Sequence, residues 1–197
     1  MKYVGKHIKR EVPATEELQV ELKRERYKRR FRRLLKSTVN ALIVVSAIAA
    51  LIATLVLPVL QISGTSMEPT LKDGDIVLLV KTKEMKSGDL CAFYYSNKIL
   101  LKRVIATPGD YIWIESDGTV FLNGEKLDEP YISEKALGEC DIEFPYQIPE
   151  NSYFVMGDKR ETSIDSRSSV IGCITEDQIV GKIFCKFWPL KEFEFIK

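Results

Sequence analysis

The apolar run from Ala41 to Leu60 is the feature that most constrains how this chain of 197 residues can fold. It carries no charge, and its only hydroxyl side chains are those of Ser46 and Thr54. As a helix it would rise roughly 30 Å, which matches the hydrocarbon core of a bilayer. A signal-peptide core is shorter and lies nearer the N-terminus, and a buried core helix of this length would show a polar stripe. We therefore predict a retained transmembrane anchor over residues 38–60.

Charge is distributed unevenly on the two sides of this run. Residues 1–60 carry 13 basic and 5 acidic side chains, whereas the remainder carries 16 basic and 23 acidic. Lys and Arg beside a span stay in the cytoplasm, so residues 1–37 are predicted to be a basic cytoplasmic segment. Anionic lipid headgroups are its expected partner rather than nucleic acid, because it adjoins an apolar span. Within it, Glu16 to Lys36 mixes apolar and charged residues as interfacial helices do.

The residues beyond the run, 61–197, are predicted to form one extracytoplasmic, mainly antiparallel β domain. They are enough for one core, and none of their segments shows a sustained helical period. Asn123-Gly124 favours a type I′ hairpin turn. Seven short apolar segments between turn signals are predicted to be strands: Asp75 to Lys81, Leu90 to Tyr95, Ile99 to Ala106, Tyr111 to Glu115, Val120 to Leu122, Ser152 to Met156 and Gln178 to Trp188.

The four cysteines all lie on the predicted exterior side, where disulfides are permitted. Their sequence positions leave three complete pairings open. The alternative is that Cys91, Cys173 and Cys185 are buried strand thiols that act as small hydrophobic side chains. No Cys or His spacing in the sequence is typical of a metal site, so we expect no metal.

Ser66 is the candidate nucleophile, and its base cannot be a histidine, because the only one, His7, precedes the anchor. A carboxylate or a lysine of lowered pKa must then take the hydroxyl proton, and Lys102 is the best candidate. Strand alternation places it on an apolar face with Leu100, Val104 and Ala106. Burial there disfavours the ammonium form. The alternative is a lysine that pairs with an acid or reaches solvent from a strand edge.

Two further segments bear on this chemistry. Thr65 to Glu68 fits a helix capping box, whereas Pro69 favours a rigid turn that exposes the Ser66 hydroxyl. In the segment Gly157 to Arg167, Ser163 offers a hydroxyl to a lysine amine, with Asp165 and Arg167 to position it. The alternative is a polar surface loop with an ordinary ion pair.

In order and content these segments resemble the motifs of the type I signal peptidases, membrane-bound Ser-Lys proteases that remove signal peptides from exported proteins. The likeness runs from the anchor to the end of the chain and leaves out only residues 1 to about 37. Four motifs in the same order are far more specific than any one of them. They are Ser63 to Leu71, Gly74 to Val77, Lys102 to Val104 with Pro108 to Asp110, and Gly157 to Arg167.

The resemblance implies a signal-peptidase-type antiparallel β domain tethered to the cell membrane by one N-terminal helix. It implies that Ser66 is the nucleophile, that Lys102 is the general base and later the general acid, and that Ser163 orients the lysine. No cofactor is implied. The expected substrates are signal peptides with small residues at the first and third positions before the cut, as in A-x-A. Their pockets would be lined by Ile62 and Leu101.

The chain departs from the family pattern at two positions. Some members place a second oxyanion donor, a hydroxyl, two residues before the nucleophile, where this chain has Gly64. That glycine and the short outer domain resemble the compact enzymes of Gram-positive bacteria. Lys159 stands where the motif usually has Asn, and its charge would either lower the pKa of Lys102 further or point to solvent.

Two other function classes compete with this interpretation. The first is a non-catalytic, membrane-anchored relative that assists pilus or envelope assembly, and the loss of Ser66 or Lys102 would have favoured it. The second is a self-cleaving Ser-Lys repressor, against which stand the membrane span and the lack of a helix-turn-helix pattern. Since both Ser66 and Lys102 are present, the sequence favours the peptidase.

Overall fold

The computed structural model describes residues 15–56 and 58–196. His7 and the first 14 residues of the predicted basic segment lie outside the described residues, as does Leu57 within the predicted anchor. The chain forms two compact units, which divide between Ile52 and Ala53.

The first unit is dominated by helix α1, Thr15–Val56. It joins the basic tract and most of the apolar run in one element, and its stretch Leu18–Leu51 is long and apolar enough to cross a membrane. Large apolar side chains such as Leu42 and Val45 are more than half exposed along it. The helix stops short of the predicted end of the anchor at Leu60, because Pro58 lacks an N–H and disfavours helical geometry in the residue before it.

The second unit is built from twelve strands in the described residues. They are β1 (Val59–Gln61), β2 (Ile76–Val80), β3 (Leu90–Tyr95), β4 (Lys98–Ala106), β5 (Tyr111–Ile114), β6 (Val120–Leu122), β7 (Glu125–Lys126), β8 (Tyr146–Gln147), β9 (Ser152–Met156), β10 (Ile174–Thr175), β11 (Ile179–Trp188) and β12 (Glu194–Phe195). Two short 3₁₀ turns, Glu176–Gln178 and Leu190–Glu192, flank β11.

These strands form two antiparallel sheets. The larger has the order β1-β2-β11-β3-β4-β9-β10, with β12 beside β11, and the smaller has the order β7-β6-β5-β8. The predicted mainly antiparallel β fold is therefore confirmed, and each of the seven predicted strands appears within one residue at either end. Asn123 and Gly124 both adopt positive φ in the turn between β6 and β7, as a type I′ turn requires.

Strand β4 lies between β3 and β9 and contributes to three apolar clusters. Leu101 packs with the cluster of Ile62 and Met67, while Leu100 and Val104 pack with that of Cys91 and Phe93. The predicted face is interrupted at Ala106, which packs with Ile105 in the third cluster. The physical reason is a register shift against β9 between Val104 and Ala106.

All four cysteines are free thiols in the structure. Cys91 and Cys185 are buried, while Cys140 and Cys173 are partly buried. Burial, together with the negative charge of Asp89, raises the pKa of Cys91 to about 12. This thiol is therefore an inert, small apolar side chain, the second of the two alternatives that the sequence left open.

Candidate active site

Ser66 lies in the turn-rich segment that follows β1. Met67 and Leu71 are buried and hold this segment against the apolar core, and the Leu71 N–H donates to the Met67 carbonyl at 2.9 Å. A capping box does not form, because the Glu68 carboxylate accepts a hydrogen bond from Lys159 Nζ at 3.1 Å instead of returning to Thr65. Ser66 itself is partly exposed, so its hydroxyl is accessible to a substrate.

Lys102 lies on β4 opposite Cys91 of β3 and is only 5% exposed. Its Nζ donates to Ser163 Oγ at 2.9 Å. Burial lowers the pKa of Lys102 below its ordinary value, Asp165 and Asp158 oppose this shift, and the Arg167 charge adds to it. The environment therefore shifts Lys102 toward the neutral amine, which is the form that a general base needs.

The segment Gly157 to Arg167 forms a tightly bonded loop after β9, hereafter the catalytic loop. Asp165 and Arg167 are completely buried and ion-paired, with Nε and Nη2 of the arginine 2.8 and 2.9 Å from the carboxylate. The carboxylate also accepts the Gly157 N–H at 2.9 Å. Arg167 donates in addition to the carbonyl oxygens of Leu137 and Arg160, at 2.6 and 2.9 Å. These bonds hold both ends of the loop that carries Ser163.

Gly157 is the point at which the catalytic loop meets the Ser66 segment. A Cβ at this position would lie 2.2 Å from Ser163 Oγ and 2.7 Å from the Ser66 carbonyl oxygen. That same carbonyl accepts the Lys159 N–H at 3.1 Å. Only glycine therefore allows the serine segment and the loop to come this close.

Ser66 and Lys102 line one small cleft of about 110 Å³. Ile62, Leu101 and Gly64 also line it, so the structure brings these five predicted residues together. A larger pocket of about 580 Å³ lies beyond Glu68 and Pro69. It contains neither the serine nor the lysine, and the small cleft is therefore the candidate active site.

At Gly64 the backbone N–H is already engaged. It donates to Asp73 Oδ1 at 2.8 Å, and the residue adopts a φ of +96° that disfavours any side chain. Gly64 therefore does not replace the hydroxyl donor that some family members carry at this position.

Lys159 pairs with Glu68, and both side chains are partly exposed. The charges that act on the pKa of Lys102 are those of Asp165, Arg167 and Asp158. Of the two predicted outcomes for Lys159, the structure therefore favours the one in which Lys159 leaves the pKa of Lys102 unchanged.

Sequence reasoning missed two buried ion pairs that hold the catalytic loop. Arg103 Nε and Nη2 donate to the Asp158 carboxylate at 2.8 and 2.6 Å, and Arg160 pairs with Glu129. The sequence did contain a signal for the pair of Arg103 and Asp158, since both residues lie in the motifs that resemble those of the family. The second pair had none, because Glu129 lies in a segment without regular structure.

Among residues 15–56 and 58–196, no group of three or more His, Cys, Asp or Glu side chains is placed to hold a metal ion.

One family model and several known proteins are similar to this chain. The family model described as "Signal peptidase, peptidase S26" matches residues 35–188. Signal peptidase IB of Staphylococcus aureus (strain MRSA252) is 39% identical over 154 residues, which cover 68% of this chain and 79% of the relative. Signal peptidase I of Bacillus licheniformis is 38% identical over 144 residues, which cover 66% of this chain and 76% of the relative.

A crystal structure of a signal peptidase I from Enterococcus faecalis V583 is similar at 26% identity and a TM-score of 0.41, covering 50% of this chain and 96% of that one. By the family match and the similarity to signal peptidase IB of Staphylococcus aureus, the chain belongs to the signal peptidase family, peptidase S26. It has type I signal peptidase activity, the removal of signal peptides. Its single described N-terminal apolar helix is consistent with a membrane anchor.

Proposed function

We propose that the enzyme cleaves through a Ser-Lys mechanism in which Ser66 is the nucleophile and Lys102 the base. Ser66 Oγ attacks the carbonyl carbon before the scissile bond while the neutral Lys102 amine takes its proton. The resulting ammonium returns that proton to the leaving amine, and an acyl-enzyme remains. Water, deprotonated by Lys102, then releases the signal peptide and restores Ser66. The observation that carries this proposal is a buried, neutral-favouring Lys102 in the cleft of an accessible Ser66.

Ser163 is proposed to orient the base. An uncharged hydroxyl 2.9 Å from Nζ positions the amine without stabilising its protonated form as a carboxylate would. Asp165 and Arg167 support Ser163 indirectly, because their hydrogen bonds hold the ends of the catalytic loop that carries it. In the transition state, the Ser66 backbone N–H is proposed to bind the developing oxyanion.

The preferred substrates are proposed to carry small residues at the first and third positions before the cut, as in A-x-A. The cleft is small, and Ile62 and Leu101 on its wall are buried in the apolar core. A larger side chain would have to displace these packed residues, which is costly.

The membrane orientation is likewise a proposal. The basic residues of 1–37 would bind anionic lipid headgroups on the cytoplasmic face, and the helical part of residues 38–60 would cross the bilayer. The β domain of residues 61–197 would then lie outside, where exported signal peptides emerge. The charge difference between the two parts of the chain supports this orientation.

The decisive experiment is cleavage of an A-x-A preprotein by the full-length protein in detergent and lipid. Ser66→Ala and Lys102→Ala are each expected to abolish cleavage while the fold is retained. Lys98→Ala is the matched control, because it removes an exposed lysine from the same strand and should cut normally. If either cleft variant cut at the wild-type rate, the mechanism would be wrong. If the wild type cut none of several such substrates, the assembly-assisting relative would become the leading interpretation.

A further inference from the structure

A deeply buried ion pair, Arg160 with Glu129, braces the catalytic loop. Arg160 Nη1 donates to Glu129 Oε2 at 3.1 Å, and Nη2 makes a second, shorter bond to Oε1. The two side chains are 0% and 3% exposed. Removing two charges from water is costly, so a pair this deep is weak evidence of a purely stabilising role. Neither residue lines the cleft.

Arg160 extends this pair to the reacting groups. Its Nε donates to the Gly157 carbonyl at 3.1 Å, and Gly157 is the residue whose Cβ position contacts both Ser163 and Ser66. The Arg160 carbonyl in turn accepts Nη2 of Arg167. Through one side chain and one carbonyl, Arg160 therefore fixes the loop at the point where it meets the nucleophile.

Glu129 is itself held from the opposite side. The Tyr131 hydroxyl donates to Glu129 Oε1 at 3.0 Å, and the Tyr131 ring lies 3.9 Å from the guanidinium carbon of Arg103. Arg103 binds Asp158, the residue after Gly157. The segment Glu129 to Tyr131 thus contacts both arginines that fix the start of the catalytic loop.

We propose that Glu129 is a positioning residue for the reaction: by orienting Arg160 it holds Gly157, and so keeps Ser163 against Lys102. The inference rests on the proposed Ser-Lys mechanism. Because Glu129 does not line the cleft, it acts on the chemical step and not on substrate binding.

The test is Glu129→Gln in the full-length protein, assayed with an A-x-A preprotein. A neutral amide binds Arg160 less strongly than a carboxylate, so kcat is expected to fall about tenfold while KM stays within about twofold. The acid limb of the pH-rate profile should also move to higher pH, since a loosened loop admits water to Lys102. The groups that face Lys102 are Asp165, Arg167 and Asp158, with the inert thiol of Cys91 across the strand pair.

Two controls separate positioning from stability. Ile148→Ala removes a buried side chain from the third apolar cluster and should lower stability without moving the acid limb. In the double variant E129R/R160E the ion pair can re-form, but the acid at position 160 has no N–H for the Gly157 carbonyl. Stability should then recover relative to R160E alone, while kcat should not.

The outcomes also separate this inference from the mechanism on which it rests. If the wild type cuts, Ser66→Ala does not, and the Glu129→Gln profile superimposes on that of the wild type, the positioning role is overturned and the mechanism stands. An equal shift of the acid limb in Ile148→Ala would likewise overturn the positioning role. If Ser66→Ala still cuts, it is the mechanism that fails.

Discussion

The two faces of strand β4 carry neighbouring basic side chains, Lys102 and Arg103, each 5% exposed, in opposite chemical situations. On one face, Arg103 donates to the Asp158 carboxylate and to the Gly88 carbonyl, and it lies over the Tyr131 ring. On the other, the Lys102 amine meets the uncharged Ser163 hydroxyl. Equal burial therefore accompanies full ionic pairing in one case and a neutral hydrogen bond in the other.

The difference shows how one strand can bury both an ion-paired charge and an amine whose pKa is lowered. Arginine does not lose its proton in proteins, so its burial requires acceptors. A lysine can give up its proton when burial lowers its pKa, and a neutral partner allows it to do so. The proposed role of Lys102 as a base thus rests on its uncharged hydrogen-bond partner, Ser163, as much as on its burial.

The largest effect is expected from Lys102→Met. The fold should remain, because an apolar chain of similar length replaces a buried amine. The cleavage rate should fall by a factor of about 10² to 10⁴, the usual contribution of a general base. Initial rates with an A-x-A preprotein measure the loss, and circular dichroism checks the fold. A variant that kept more than a tenth of the wild-type rate would contradict the assigned role.

Arg103→Ala should mainly affect stability. It leaves the Asp158 carboxylate buried without its arginine, a change that costs about 3–5 kcal/mol in the free energy of unfolding. Denaturant titration of the full-length protein in detergent measures this cost, and rates per folded molecule are compared alongside. If Arg103→Ala and Lys102→Met lowered the free energy of unfolding equally, the distinction between a structural Arg103 and a reactive Lys102 on the two faces of β4 would be wrong.

A smaller effect appears in the pH dependence of stability. Burial places the folded-state pKa of Lys102 below its ordinary value of 10.5, so the unfolded chain binds more protons between the two values. The wild-type free energy of unfolding should therefore rise with pH across that interval, by at most about 1.4 kcal/mol per unit. Lys102→Met should lack this dependence on pH. Its free energy of unfolding should exceed that of the wild type by most at the acid end of the interval. If the free energies of unfolding of the two proteins changed in parallel with pH, folding would not lower the pKa of Lys102, and the lysine would stay charged in the folded protein.

The smallest effect is expected from Lys159→Asn. The ion pair that it removes is partly exposed, and such pairs contribute about 0–1 kcal/mol. The acid limb of the pH-rate profile should stay in place, because Lys159 is not among the charges that act on Lys102. A clear shift of the acid limb to higher pH in the variant would show that Lys159 lowers the pKa of Lys102.

Most of the large sheet could be predicted because its strands are long enough to show alternation and are bounded by turns. The five strands that were missed, β1, β7, β8, β10 and β12, have only two or three residues each, too few for a periodic signal. The interruption at Ala106 was missed for another reason, since it arises from pairing with β9. Likewise, nothing local to Glu129 indicates an arginine 31 positions away.

The sequence by itself determined the apolar helix, the alternation of the main strands and the order of the motifs, because these depend on residues close together in the chain. Tertiary structure decided which groups share a site. Ser163 meets Lys102 across 61 positions, and Asp158 meets Arg103 across 55. The pKa of Lys102 depends on how completely such distant segments exclude water from its amine. The loss of hydration that lowers the pKa of this lysine is therefore a property of the packed fold.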